Sequence, residues 1–79
     1  MERKILIFLK RWFVNQGDCC PKNELDSFIV NNFNENIRDE AIAFVNQLIN
    51  EKLMQLITKN GREVFAVSGY GAEKLKSIT

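Results

Sequence analysis

An Asn-Gly pair between two apolar runs constrains the fold of this chain more than any other feature. Asn60 and Gly61 lie between residues 53–58 (LMQLIT) and residues 63–68 (EVFAVS). Both residues tolerate the positive φ angles of a type I′ turn, which matches the twist of antiparallel strands. The sequence therefore predicts a β-hairpin over residues 53–68. A two-residue loop also sets the register, which predicts three facing pairs: Lys59 with Arg62, Leu56 with Phe65, and Met54 with Val67.

Apolar residues at three- and four-residue spacing predict helices on both sides of the hairpin. The predicted ranges are 2–16, 21–33 and 37–51 before it and 69–79 after it. Gly17 is placed to end the first helix, Pro21 suits the first turn of the second, and Asn36 suits the N-cap of the third. The predicted core lies on the apolar faces of the first three helices: Ile5, Phe8, Leu9, Trp12, Phe13, Leu25, Phe28, Ile29, Phe33, Ile37, Ala41, Phe44, Val45, Leu48 and Ile49.

The length of 79 residues supports one small α+β domain spanning the whole chain. A core of this size is marginal by itself, so we expect a second subunit. Ile7 and Val14 lie seven residues apart within the basic face of the first helix. They are either ordinary surface hydrophobes or a subunit contact. Four apolar residues are candidate dimer contacts: Ile7, Val14, Leu75 and Ile78.

Few residues are available for catalysis or metal binding. The chain has no His, which removes the commonest general base and the commonest zinc ligand. Its two Cys, Cys19 and Cys20, are adjacent, so a disulfide between them is strained and they cannot complete a zinc site. We therefore expect a protein that is not an enzyme and that uses no metal and no cofactor, with both Cys as small apolar residues in a reducing compartment.

The first apolar run is too short to cross a membrane. It extends from Ile5 to Leu9 before Lys10 and Arg11 interrupt it, whereas a membrane span needs about 20 residues. We expect no membrane association and a cytoplasmic location, or a nuclear one if the source is eukaryotic.

Three segments together resemble the winged-helix variant of the helix-turn-helix domain. Residues 21–25 (PKNEL) look like the start of the family's second helix. Residues 45–54 (VNQLINEKLM) look like the end of its recognition helix and the first wing strand, and residues 67–75 (VSGYGAEKL) look like its closing Ser-capped helix. The resemblance covers nearly the whole chain. It departs at Lys52, where the family commonly has Gly, so we expect the third helix to end in another conformation or one residue later.

The resemblance implies a third helix in the major groove of double-stranded DNA and a wing on the phosphate backbone. Asn46, Gln47 and Asn50 each offer a donor and an acceptor to adenine edges. Lys59 and Arg62 face each other, which is unfavourable unless a phosphate lies between them or solvent screens them. The candidate DNA-binding residues combine these with basic and polar neighbours: Lys22, Asn23, Arg38, Asn46, Gln47, Asn50, Lys59 and Arg62.

The distribution of charge argues against strong DNA binding. The chain has 11 basic and 10 acidic residues, a net charge of +1. Residues 34–53, which include the predicted recognition helix, have a net charge of −2, and carboxylates facing phosphates weaken non-specific affinity. We expect a small winged-helix DNA-binding protein that acts as a dimeric transcriptional regulator. The alternative is a winged-helix module for protein–protein contact without DNA binding.

Overall fold

Four helices and three strands form in the part of the chain that the computed structural model describes, residues 1–78. The helices precede and follow a β-hairpin, as predicted, and the strands form one antiparallel sheet, so the fold is α+β. In chain order the elements are α1 (Glu2–Trp12), β1 (Cys19–Pro21), α2 (Lys22–Asn32), α3 (Glu35–Asn50), β2 (Met54–Lys59), β3 (Arg62–Val67) and α4 (Gly69–Lys76). The predicted last helix extended to residue 79, which lies outside the described residues.

The hairpin has the predicted turn and register. Asn60 has a φ of 53° and Gly61 a φ of 77°, as a type I′ turn requires. All three predicted pairs are confirmed: Lys59 faces Arg62, Leu56 faces Phe65, and Met54 faces Val67.

A third strand, β1, was absent from the sequence prediction. It pairs antiparallel with β3, with Cys20 opposite Phe65, and gives the strand order β1-β3-β2. A strand of three residues is too short to show an alternating pattern. Its formation makes β3 the central strand and β2 an edge strand.

The first helix ends earlier than predicted, and Gly17 does not cap it. The helix ends at Trp12, and the carboxylate of Asp18 accepts hydrogen bonds from the backbone N–H groups of Val14 (3.0 Å) and Asn15 (2.8 Å). Gly17, with a φ of 89°, donates its N–H to the Val67 carbonyl at 3.1 Å. Because the helix ends at Trp12, the chain has enough residues before β1 for this strand to pair with β3.

The N-cap predicted for the third helix was also wrong. Asn34, not Asn36, caps α3, since its side chain accepts a hydrogen bond from the Asn36 N–H at 3.1 Å. Phe33 is buried in an extended conformation directly before this cap. The helix can therefore restart immediately and place Glu35 in its first turn, where the positive end of the helix dipole favours an acidic residue.

One apolar cluster joins the four helices to the inner face of the sheet. Among the described residues no polar or charged residue is buried. Ten of the predicted core residues are buried, and Phe8, Trp12, Phe28, Ile37 and Ile49 are partly buried against them. The buried cluster consists of Ile5, Leu9, Phe13, Cys20, Leu25, Ile29, Phe33, Ala41, Phe44, Val45, Leu48, Leu53, Met54, Phe65, Val67, Ala72 and Leu75.

The end of α3 is held against the start of α4. Lys52 has a φ of 65°, so the helix does end in the left-handed conformation that we expected a non-Gly residue to avoid. The hydroxyl oxygen of Ser68 lies 2.7 Å from the Lys52 carbonyl and 3.0 Å from the Leu53 carbonyl. It also accepts the Gly71 N–H at 2.9 Å, so Ser68 caps α4 as predicted. These bonds fix where α3, β2 and α4 meet.

Candidate nucleic-acid interface

Two amide side chains follow one line along the outer face of α3. Asn46 and Asn50 are exposed and lie four residues apart, which places them on the same side of the helix. Gln47 is also exposed but lies off this line, and its side-chain N–H is 3.4 Å from a carboxylate oxygen of Glu51. Asn46 and Asn50 therefore lie together on the outer face of α3, whereas Gln47 lies to one side and contacts Glu51.

The same outer face is acidic. Glu35 and Asp39 are exposed, and Glu40 is exposed on the adjoining side of α3. Arg38 is the basic residue of this helix, and it does not lie free on the surface. Its Nε donates to the Phe33 carbonyl and its Nη2 to the Val30 carbonyl, each at 3.1 Å. Arg38 therefore binds the end of α2, and only its remaining N–H groups are open to a ligand.

Lys22 lies between α3 and the tip of the hairpin. It lines one surface hollow with Asn23 and Arg62, and a second hollow with Asn46. Its ammonium donates to the Asp26 carboxylate at 2.9 Å, and this hydrogen bond and the charge of Asp26 raise the pKa of Lys22. Four predicted site residues thus lie around the start of α2, although Asp26 balances the charge of Lys22 and Glu63 lines the first hollow.

The hairpin tip holds an unbalanced pair of positive charges. Lys59 and Arg62 are exposed and directly opposite each other. Neither side chain has an ionic partner within residues 1–78. Like charges in facing positions destabilise a strand pair, so an anion at this tip would be favourable.

Two apolar side chains beside the amide line were not predicted to be on the surface. Ile42 of α3 is 50% exposed and Leu56 of β2 is 41% exposed. Together with Ile49 and Asn46 they line the second hollow. At helical spacing Ile42 falls at the edge of the apolar face of α3, and this position was the available signal. Nothing in the sequence showed that Leu56, opposite the buried Phe65, would be left uncovered.

The candidate dimer contacts are separated in the structure. Val14 is 57% exposed but lies beyond the end of α1, so it does not continue the stripe of Ile7, which is partly buried. Leu75 is 2% exposed and belongs to the core, which removes it from the surface. Ile78 packs partly against that core, and its carbonyl accepts a hydrogen bond from the Lys10 ammonium. Ile7 and Val14 remain the accessible members of the set.

The two Cys differ in their surroundings. Both are free, Cys19 being partly exposed and Cys20 buried. Burial raises the pKa of the Cys20 thiol to about 12, and the charge of Glu24 acts in the same direction. Within residues 1–78, no cluster of three or more His, Cys, Asp or Glu residues could bind a metal ion. None of the described helices combines the length and hydrophobicity that a membrane span needs.

The fold and the surface together define a small α+β protein that has four helices and a three-stranded antiparallel sheet within the described residues. Its amide-bearing helix lies beside a hairpin with a basic tip. No known protein family, curated protein or solved structure matches the chain significantly.

Proposed function

We propose that the chain is a winged-helix DNA-binding protein that acts as a dimeric transcriptional regulator. The observation that carries the proposal is the placement of Lys22 between Asn46 of α3 and Arg62 of the hairpin. The exposed amides of α3 suit the base edges of DNA, and the basic hairpin tip on the same surface suits the phosphates. The order of helices, hairpin and closing helix is compatible with a winged helix.

In this proposal the amides read bases and the basic residues position the helix. Asn46 and Asn50 each offer a donor and an acceptor, the pattern that pairs with adenine in the major groove. Lys22, Lys59 and Arg62 contact phosphates, and one phosphate at the tip would remove the repulsion between Lys59 and Arg62. The carboxylates on the outer face of α3 oppose this binding, so the affinity of one subunit is low and a dimer is needed.

Salt dependence provides the test. With three or four phosphate contacts, raising the salt concentration fourfold should weaken binding about 40- to 150-fold. The measurement is fluorescence anisotropy with a pool of varied duplexes, starting at low salt. Arg62→Glu should nearly abolish binding, whereas Lys76→Glu, which makes the same change in net charge on α4, should have a much smaller effect. Absence of binding at low salt, or equal effects of the two variants, would contradict the proposal.

The exposed pair Ile42 and Leu56 favours a second candidate function, a winged-helix module for protein–protein contact. Apolar side chains next to an acidic helix face suit a protein partner better than a polyanion. Replacing Ile42 with Ser should then abolish partner binding in cells and leave the fold intact. The same variant adds no charge next to the phosphates, so it should affect DNA binding only modestly.

A further inference from the structure

The β2 strand is an unprotected edge. It has six residues, no strand covers its outer side within the described chain, and it contains neither Pro nor Gly. Its one charged residue, Lys59, lies at its end. The other edge strand, β1, has three residues and ends in Pro21. Natural proteins protect sheet edges by short strands, Pro, charges or bulges, because a free edge pairs with other strands. The β1 edge is protected in this way and the β2 edge is not.

The register of the hairpin shows which backbone groups of β2 face outward. In a two-residue hairpin the residues that flank the loop, Lys59 and Arg62, exchange both backbone hydrogen bonds, and bonding alternates from there. Gln55 and Ile57 therefore point their N–H and C=O groups toward β3. Three residues point theirs away from the sheet: Met54, Leu56 and Thr58.

We propose that β2 pairs antiparallel with β2 of a second copy of this chain, with Leu56 on the two-fold axis. Residues whose backbone groups face outward in one copy must pair with such residues of the other copy. A two-fold axis through Leu56 pairs each residue before it in one copy with the residue equally far after it in the other. Leu56 then faces itself, Met54 faces Thr58, and Gln55 faces Ile57. The pairing joins the two sheets into one of six strands and adds about six backbone hydrogen bonds.

The charges around this seam are on balance favourable in this register. Continuing the pairing places Lys59 of one copy next to Leu53 of the other, close to Glu51, Lys52 and the C-terminal end of α3. That helix end carries partial negative charge, and residues 34–53, with Lys52 included, have a net charge of −2. Lys59 therefore enters surroundings of net negative charge although Lys52 is a like charge, and no two charged residues of β2 face each other. Arg62 lies on the central strand and stays outside the seam.

The exposed apolar side chains also lie at this seam. A two-fold axis perpendicular to the sheet puts both cores on the same face, so the two copies of Leu56, each 41% exposed in the monomer, contact each other. Ile42 is 50% exposed and lines the same hollow as Leu56. The pairing thus covers apolar surface that a monomer leaves in water. It identifies the interface of the proposed dimer and does not depend on DNA binding.

Two variants at one position test the pairing. Thr58→Pro removes an outward N–H and leaves the hydrogen bonds between β2 and β3 in place. Thr58→Ala keeps that N–H and is the matched control. In sedimentation at up to about 500 µM, the wild type and Thr58→Ala should reach twice the monomer mass of 9.2 kDa, and Thr58→Pro should associate at least ~10-fold more weakly. If Thr58→Pro does not fold, Leu56→Lys serves instead, since it places two like charges on the axis.

Amide hydrogen exchange measured by NMR adds a readout specific to this register. The amides of Leu56 and Thr58 should become protected as the protein concentration rises, while those of Gln55 and Ile57 stay protected throughout. A wild-type monomer at the highest concentration, or dimers that Thr58→Pro and Leu56→Lys leave unchanged, would overturn the proposal. All these measurements are made without DNA. A failed dimer with intact DNA binding therefore overturns the pairing and the dimeric state but not the DNA contact, and the reverse result overturns only the DNA-binding function.

Discussion

Gly71 in α4 packs directly against the backbone carbonyl of Leu53, so closely that a Cβ atom at position 71 would lie 2.0 Å from that oxygen. The same carbonyl accepts the N–H of Ser68 at 2.9 Å. Both contacts are between backbone segments, which cannot move apart without separating α4 from the start of β2. This close approach explains why a Gly lies within the first turn of α4.

Replacing Gly71 with Ala should therefore destabilise the protein by about 3 kcal/mol, because α4 must shift to relieve the overlap. Gly69→Ala is the matched control. A Cβ atom at position 69 meets only the end of the flexible Gln16 side chain, at 3.1 Å, so the change should be small. Urea unfolding followed by the fluorescence of Trp12 measures both. Equal stability of the two variants would contradict the close approach.

At Lys52, in contrast, the left-handed conformation predicts that a change in the glycine content of the chain raises stability. A side chain with a φ of 65° is unfavourable relative to Gly by about 1 kcal/mol. Lys52→Gly should stabilise the protein by about that amount. Lys52→Ala removes the same charge and keeps a Cβ atom, so it should give no such gain. If both variants raise the unfolding midpoint equally, the loss of charge is the cause and the conformational argument fails.

Local features of the sequence predicted the hairpin. The structural features that were not predicted depend on contacts between residues far apart in the chain. Asn60 and Gly61 determine their turn by themselves, and the register follows from the loop length. The end of α1, in contrast, depends on Asp18 and on β1 pairing with β3, a strand far along the chain. No helical periodicity contains that information.

The candidate site divides in the same way. Spacing along α3 was enough to place Asn46 and Asn50 on the surface. The role of Arg38 in binding the end of α2 and the exposure of Leu56 both depend on how elements pack, so neither was predicted. The burial of Leu75 shows the same limit, because an apolar residue in a short helix suits the core and a subunit contact equally well.

The buried thiol of Cys20 predicts a loss of stability at alkaline pH. Burial and, to a lesser extent, Glu24 raise its pKa in the folded protein from 9.0 to about 12. Between these values the unfolded chain releases a proton that the folded chain retains. The free energy of unfolding should therefore fall as pH rises above about 9, by at most ~1.4 kcal/mol per pH unit.

Comparison with Cys20→Ala isolates this effect, because the two proteins differ only in this side chain. The variant should be less stable at neutral pH, where it leaves a cavity, but should lose less stability between pH 9 and 11. Parallel stability curves for the two proteins, measured by urea unfolding, would contradict the raised pKa.

The hydrogen bonds of Arg38 predict that this residue contributes to stability as well as to any DNA contact. Its guanidinium donates to the Phe33 and Val30 carbonyls at the end of α2, and Arg38→Met leaves those carbonyls without this partner. We expect a loss of about 1 kcal/mol. Lys22→Met removes only an exposed ion pair to Asp26 and should cost less than about 0.5 kcal/mol. A reduced DNA affinity of Arg38→Met with unchanged stability would show that its contact with α2 contributes nothing and that its charge acts on DNA alone.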